Sequence, residues 1–477
     1  METLYWHDYE TFGIDSARDR LAQFAGVRTD TDLNIVGKPL VKYCKLSPDI
    51  VPDPGACLVT GITPQFVNKK GVSEAKFIAS IYKELIKEET CSVGYNSANF
   101  DDEFTRYALY RNFYNPYDHH SKHGNSRWDL INVVRLVRAF NPESPIVWPK
   151  KDDGKYSTRL EDLTRANGIG HNAHDALADV YATIELAKLI KEHHPRLYKH
   201  CYAHRTKAAA SELLGIEKKR LVAPKALVHV DSFYGSDNNY VAVVFPVAMH
   251  PVKGNAAIVY NILKDPAPLL DLSAREIRER LFTKGLSSDE RIGLHEINSN
   301  KCPVIIPLNM VSQASAKRLG IDKQLCEKHI TELMGKSDVC FVAQTAYHKS
   351  FKSRTDPELM LYDGFFDRSD KTKIAKVRST PSKELKKIDF KFKDPRLPEL
   401  LFRYRARNFP STLSKTEQAR WKKYCQNRWN SEDGGGSFTV AKFYEEIETR
   451  LDDKDLTREK VEILKQLKSY AKDKTSI

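Results

Sequence analysis

The sequence predicts an α/β domain on a mixed sheet, then a small antiparallel β region with inserted helices, then a helical C-terminal region. Three observations lead there. Over residues 1–194 strand-like and helix-like patterns alternate. Over 195–350, short runs rich in β-branched residues are separated by turn-rich stretches. Over 351–477 the apolar residues recur mostly with helical periodicity. A chain of 477 residues is also too long for one ordinary domain.

In the first region, residues 4–11, 21–29 and 35–46 read as strands, with a turn at Thr31-Asp32. Residues 73–87 read as a helix with Ser73 as its N-cap, and 92–96 as a short strand. Further helices start at Asp101 and Asp175. Leu177, Val180 and Ile184 recur at i, i+3 and i+7, and Pro195 follows where that helix stops. In the second region, 226–230, 240–247, 256–262 and 304–308 read as strands, and Gly235-Ser236-Asp237-Asn238-Asn239 as a turn. In the third, 416–429 and 438–470 read as helical, joined by the flexible Gly434-Gly435-Gly436-Ser437.

Composition narrows the class. Hydrophobic residues make up 41%, enough to build cores, which excludes a disordered chain. Lys and Arg number 76 against 63 Asp and Glu, a net charge of +13 that favours a polyanionic partner such as nucleic acid. None of the eight cysteines falls in a C-x-x-C pair, which argues against a zinc ribbon or a disulfide framework. Scattered single cysteines suit a reducing cytoplasm, the expected location. The N-terminus lacks a signal-peptide pattern, no apolar run approaches membrane-spanning length, and no coiled-coil heptads point away from a monomer. Residues 368–396 hold eleven Lys or Arg against four Asp or Glu, a solvated face or a guide for a polyanion.

Three short segments carry chemistry. In His7-Asp8-Tyr9-Glu10-Thr11, read as a strand, residues i and i+2 share a face, so Asp8 and Glu10 project side by side. Two such carboxylates repel unless a cation lies between them, and hard oxygen donors suit Mg²⁺ or Mn²⁺. In Gly94-Tyr95-Asn96-Ser97-Ala98-Asn99-Phe100-Asp101, a strand runs through a polar turn into a helix, with Asp101 in the first helical turn. In His174-Asp175-Ala176-Leu177-Ala178-Asp179, Asp179 falls on the buried side of an Ala-rich helix beside Val180, a costly place for an unpaired carboxylate. His174 precedes that helix, and an imidazole with a pKa near ~6.5 suits a general base. Taken singly, these are a strand edge, a helix cap and a helix-start histidine.

Together, D-x-E, N-x-x-x-F-D and H-x-x-x-x-D in this order resemble the DEDDh exonuclease superfamily. His7 through Gly13, Phe113-Tyr114-Asn115-Pro116-Tyr117, Asn125 through Leu130, Ala173 through Thr183 and Tyr404 through Pro410 look like the bacterial exonuclease I family, over essentially the whole chain. That resemblance implies a ribonuclease H-like exonuclease domain (1–194), an SH3-like domain (195–350) and a helical domain (351–477). It implies processive 3′→5′ hydrolysis of single-stranded DNA to nucleoside 5′-monophosphates, in DNA repair and recombination, with two Mg²⁺ ions for which Mn²⁺ could substitute. Asp8, Glu10, Asp179 and Asp101 would be the ligands, with Glu10 also at the substrate and His174 as the base. Arg106, Tyr117, Arg135 and Arg159 would contact DNA. Tyr110, Tyr114 and Trp128 are further aromatics for the strand, while Tyr107 and Phe113 read as core. The acidic C-terminal tail of single-stranded DNA-binding protein is the implied protein partner. Family members carry a tryptophan after the Asn-Pro-Tyr turn; here the stretch is Asp118-His119-His120-Ser121, which reads as a solvated loop. Two other readings are a DEDDh exoribonuclease, although those chains lack the second and third regions, and an inactive nucleic-acid-binding scaffold, against which the intact acidic set argues.

Overall fold

β1 (Thr3–Thr11) and β2 (Leu21–Thr29) run antiparallel, from Leu4 opposite Thr29 to Glu10 opposite Gln23. This is a computed structural model, and it describes residues 1–170, 175–287, 290–348 and 354–475. β3 (Leu40–Tyr43), β4 (Thr90–Gly94) and β5 (Ser126–Asp129) complete a sheet of order β3-β2-β1-β4-β5. β4 is parallel to β1, so the sheet is mixed, as expected. β3 is shorter than the run 35–46, because Gly37 turns the backbone at φ +82° and leaves only an isolated bridge at Ile35.

Two short helices escaped the periodicity reading: α1 (Pro54–Thr60) and α2 (Pro64–Lys70). Each starts with proline after a capping side chain; Gly55 N–H donates to Asp53 and Phe66 N–H to Thr63. α3 (Glu74–Leu85) has Ser73 at its N-cap, but the Ser73 hydroxyl makes no capping bond; Ala75 N–H donates instead to Asn408 Oδ1 at 2.9 Å. α4 (Asp101–Arg111), α5 (Asp118–Ser121), α6 (Ile131–Phe140), α7 (Leu160–Ala166) and α8 (Ala176–His193) follow. The stretch read as a solvated loop is therefore the helical turn α5, with His119 buried and its Nε2 3.1 Å from His120 Nδ1.

The chain divides into two compact units, Met1–Ser126 with His171–Ala182 and Ser353–Ile477, and Arg127–Gly170 with Thr183–Lys352. In the first, Phe24 of the sheet packs with Phe77, Ile78 and Ile81 of α3 and Phe104 and Leu109 of α4. A second core joins Phe12 and Cys57 to the helices Lys415–Asn430, Val440–Leu451 and Arg458–Thr475. The span 438–470, read as one periodic stretch, is thus two helices.

The first unit also buries a charge network. Arg407 pairs with Asp49 at 2.8 Å and with Glu358; Arg20 lies 3.1 Å from Glu358 and 3.8 Å from Asp49; Arg428 and Arg403 approach Asp49 and Glu358 at 3.6 and 3.7 Å. Arg20 sits where the chain returns from β1 to β2, and Arg20 carbonyl accepts the Phe12 N–H at 2.9 Å, so the network fixes the far end of β1.

In the second unit, α9 (Pro195–Ala203), α10 (Lys207–Leu213) and the small pair β6 (Ile216–Glu217) and β7 (Arg220–Leu221) lead into a β region. β8 (Leu227–Val230), β9 (Val241–Met249), β10 (Ala256–Asn261), β11 (Leu294–Asn298) and β12 (Val304–Pro307) form an antiparallel sheet of order β11-β10-β9-β8-β12. β11 was not expected, because Leu294-His295-Glu296-Ile297-Asn298 lacks a β-branched run. None of the eight cysteines, all among the described residues, is in a disulfide. No described helix is long and apolar enough to cross a membrane.

Candidate active site

The strand period places Asp8 and Glu10 on one face of β1. The register against β2 shifts between Glu10 and Thr11, a bulge of the kind that re-aims side chains beside active sites. Asp179 arrives from the first turn of α8 and is half-buried, rather than on the fully buried side expected next to Val180. Carboxylate oxygens of Asp8, Glu10 and Asp179 lie within 4.8 Å of one another. Asp101, buried in the first turn of α4, accepts the Tyr9 N–H at 3.1 Å through Oδ1. That bond ties α4 to β1 midway between the two strand acids. Asp101 is outside the three-carboxylate group but acts on Asp8 through its charge. His174 lies outside the described residues.

Electrostatics sets this group apart. Loss of hydration, then the charges of Asp101, Glu10 and Asp179, push the Asp8 carboxyl well above the ordinary range. Burial, then Asp179 and Asp175, push Glu10 up to about 8. Neither Asp8 nor Glu10 pairs with Lys or Arg among the described residues. Clustered hard oxygens that repel one another fit a divalent metal ion.

Beside Asp101, Arg106 of α4 is held by Glu103 at 2.7 Å and lies 3.3 Å from the Tyr362 hydroxyl. Its guanidinium sits over the Tyr117 ring at 5.8 Å, and its Nε and Nη2 are buried without a hydrogen-bond partner. Tyr117 also meets the 80% exposed Phe365 edge-on. Tyr117, Tyr114, Tyr110, Phe365 and Arg378 line a cavity of about 280 Å³. Glu103, Tyr362 and Phe365 were missed in the sequence; the aromatic run Tyr362 to Phe366 was the available signal. Tyr107 and Phe113 are core, as read, but so are Tyr110, 4% exposed, and Trp128, 2% exposed against Tyr198 and Tyr202, which corrects their place among the strand-contacting rings. In the second unit, Arg135 of α6 bonds Asn132 at 2.8 Å, and Arg159, at the N-cap of α7, is exposed and 3.6 Å from Glu161.

Three family comparisons match along the chain: "Exonuclease" over residues 5–187, "Exonuclease I SH3-like domain" over 205–351 and "Exonuclease I C-terminal domain" over 355–474. The exodeoxyribonuclease I of Haemophilus influenzae is 42% identical over 475 residues, covering 98% of each chain. Among solved structures, the moderately thermophilic exonuclease I of Methylocaldum szegediense superposes with a TM-score of 0.93 at 45% identity, over 99% of this chain and 100% of that one. Escherichia coli exonuclease I in complex with a dA16 oligonucleotide gives 0.92 at 40% identity, with 99% and 100% covered. An SSB/exonuclease I structure with the inhibitor CFAM gives 0.89 at 40% identity, again over 99% and 100%. The mixed α/β domain, the SH3-like β domain, the helical C-terminal region and the strand-borne acid cluster converge on one assignment: this chain belongs to the exonuclease I family.

Proposed function

We propose that the chain is a processive 3′→5′ exonuclease that hydrolyses single-stranded DNA to nucleoside 5′-monophosphates in DNA repair and recombination. The observation that carries this reading is the close cluster of Asp8, Glu10 and Asp179 carboxylates, with Asp101 tied to the same strand beside it. Asp8, Glu10 and Asp179 would hold one Mg²⁺, and Asp8 with Asp101 a second. When bound, such a pair supplies positive charge to the attacking and leaving oxygens of an in-line displacement. His174 takes the proton of the attacking water. In the first unit Glu10 orients the terminal nucleotide, Arg106 offsets phosphate charge and the Tyr117 ring supports a base; in the second unit Arg159 and Arg135 are the proposed DNA contacts. Eight cysteines with no disulfide among them support work in the cytoplasm.

The test is a time course on end-labelled single-stranded DNA, duplex DNA and RNA of one sequence, with Mg²⁺ or with EDTA. Stepwise Mg²⁺-dependent release of mononucleotides from the 3′ end of single-stranded DNA is expected. Preference for RNA, or no release at all, would overturn the reading.

The acidic tail of single-stranded DNA-binding protein is the proposed partner. The second unit has a pocket of about 540 Å³ lined by Phe140, Pro195, Arg196, Ile306 and Met310, which combines an apolar wall with a cation. Arg196→Glu is expected to weaken binding of a fluorescent tail peptide; unchanged affinity would exclude this pocket.

A further inference from the structure

We propose that His200 and His204 form a site for one borderline divalent metal ion, of the class of Zn²⁺, Ni²⁺ or Cu²⁺, at the C-terminal end of α9 in the second unit. The residues are separate from the acid cluster, and their chemistry does not depend on the exonuclease reading.

His200 and His204 are four apart, one turn of helix, with His200 in α9 and His204 at its C-cap. Their ring centroids are 4.2 Å apart and the ring planes are inclined by 33°. Each ring commits one nitrogen to a backbone carbonyl. His200 Nε2 is 2.9 Å from the Ile305 carbonyl oxygen of β12, and His204 Nδ1 is 2.8 Å from the His200 carbonyl oxygen. A carbonyl oxygen only accepts, so those two nitrogens carry the protons. Nδ1 of a neutral His200 and Nε2 of a neutral His204 then keep their lone pairs. Metal-ligating histidines are held in this way: the second ring nitrogen donates to a carbonyl, which fixes the tautomer and the aim of the ring.

One carbonyl bond is not enough to make a ligand. His7 and His329 bond the carbonyls of Tyr5 and Ile262, but both are buried, and among the described residues neither has another histidine ring against it. The other close pairs also differ. His119 Nε2 and His120 Nδ1 are 3.1 Å apart and bond each other. His229 and His295 are 5.8 Å apart between centroids, and His229 is buried with its Nδ1 2.9 Å from the Tyr234 hydroxyl. His200 and His204 are half-buried instead, and His200 borders the pocket of about 540 Å³, which gives an ion a path from solvent.

The helix end favours a cation, because the carbonyl end of α9 carries partial negative charge. Arg205, the cation next in sequence, is engaged over the Tyr202 ring at 3.7 Å. Imidazole nitrogens select the ion: they suit Zn²⁺, Ni²⁺ and Cu²⁺, whereas the carboxylates of the acid cluster suit Mg²⁺ and Mn²⁺. A tetrahedral ion with metal–nitrogen bonds of about 2.0–2.1 Å sets two nitrogens roughly 3.3 Å apart, a spacing that rings this close can present. Two protein ligands are fewer than the four of a structural zinc site, so water completes the shell and the ion exchanges with solvent.

The probe is Cu²⁺ alone, added at one equivalent to the full chain in excess Mg²⁺. Electron paramagnetic resonance is expected to show coupling to two nitrogens, which carboxylate ligands cannot give. His200→Gln and His204→Gln are each expected to lose the two-nitrogen spectrum and to weaken Cu²⁺ binding by at least about tenfold in a competition titration. His193→Gln, a nearby histidine outside the pair, is expected to change neither. Thermal melts without copper check that the variants fold; where one does not, the wild-type spectrum decides. A wild-type spectrum with oxygen ligands only, or a two-nitrogen spectrum that persists in both variants, would overturn the site. Neither result bears on Mg²⁺-dependent nucleotide release, which tests the exonuclease reading on its own.

Discussion

The first unit withdraws two sets of carboxylates from water and treats them in opposite ways. Asp49 and Glu358 are almost completely buried, 0% and 1% exposed, and burial alone would raise their pKa. Arg407, Arg20 and Arg428 around Asp49, and Arg407, Arg403, Arg20 and Arg428 around Glu358, reverse that and hold both carboxyls well below the ordinary range. Asp8 and Glu10 lose hydration too, but their charged neighbours are other acids, so both rise. The difference teaches that burial sets the cost of a carboxylate and its neighbours set its purpose. Where the chain supplies guanidinium groups, the acids bind distant segments together. Where it withholds them, the acids keep a place for a cation from solution.

Asp8→Ala attacks the second set and is expected to abolish Mg²⁺-dependent nucleotide release while single-stranded DNA binding in EDTA persists; a near-normal rate would dissolve the contrast. His174→Ala is expected to slow release by ~10²–10⁴-fold, the share of a general base, measured under single-turnover conditions. Glu358→Gln attacks the first set. It removes one of the buried counter-charges of Arg407, Arg403 and Arg20 and is expected to cost about 3–5 kcal/mol in urea unfolding. Mg²⁺ at a hundredfold excess over its dissociation constant is expected to stabilise the wild type by about 2.7 kcal/mol, and Asp8→Ala by far less, in thermal melts.

The smallest effect sharpens the comparison through pH. The folded-state pKa values of Asp49 and Glu358 are depressed, so between the folded and unfolded values the unfolded chain binds more protons. Their contribution is fully present above the unfolded value of about 4 and is lost as the pH falls through the depressed folded values. Acid titration of stability below pH ~4 is expected to be shallower in Glu358→Gln than in the wild type.

The acid cluster was largely legible because its information is local. A two-residue spacing on an apolar strand fixes which way Asp8 and Glu10 face, and a helix start places Asp101 and Asp179. What was illegible is what depends on distance. The pairing of Arg20 with Glu358 joins residues 338 positions apart, and each alone is an ordinary charged residue. The Glu103–Tyr362 bond, at 2.5 Å, spans 259 positions in the same way. Helices α1 and α2 were lost for another reason. Their capping residue, proline and closing glycine were all in view at Asp53-Pro54 and Gly61, and at Thr63-Pro64 and Gly71, but seven residues each are too few for periodicity to register. Asp101 was read only as a residue of the first helical turn; the structure also ties it to the strand backbone at Tyr9, a bond that no local pattern announces.

The single residue between the strand acids constrains how this gene can drift. Deleting Tyr9 would make Asp8 and Glu10 sequential, and sequential strand residues look in opposite directions, so the pair would be split across the sheet. Inserting two residues there would keep the directions and move the acids apart by roughly 6.7 Å, beyond sharing one small ion. Point substitutions at position 9 can be sampled by evolution one at a time, whereas changes of length at that codon cannot be tolerated at all.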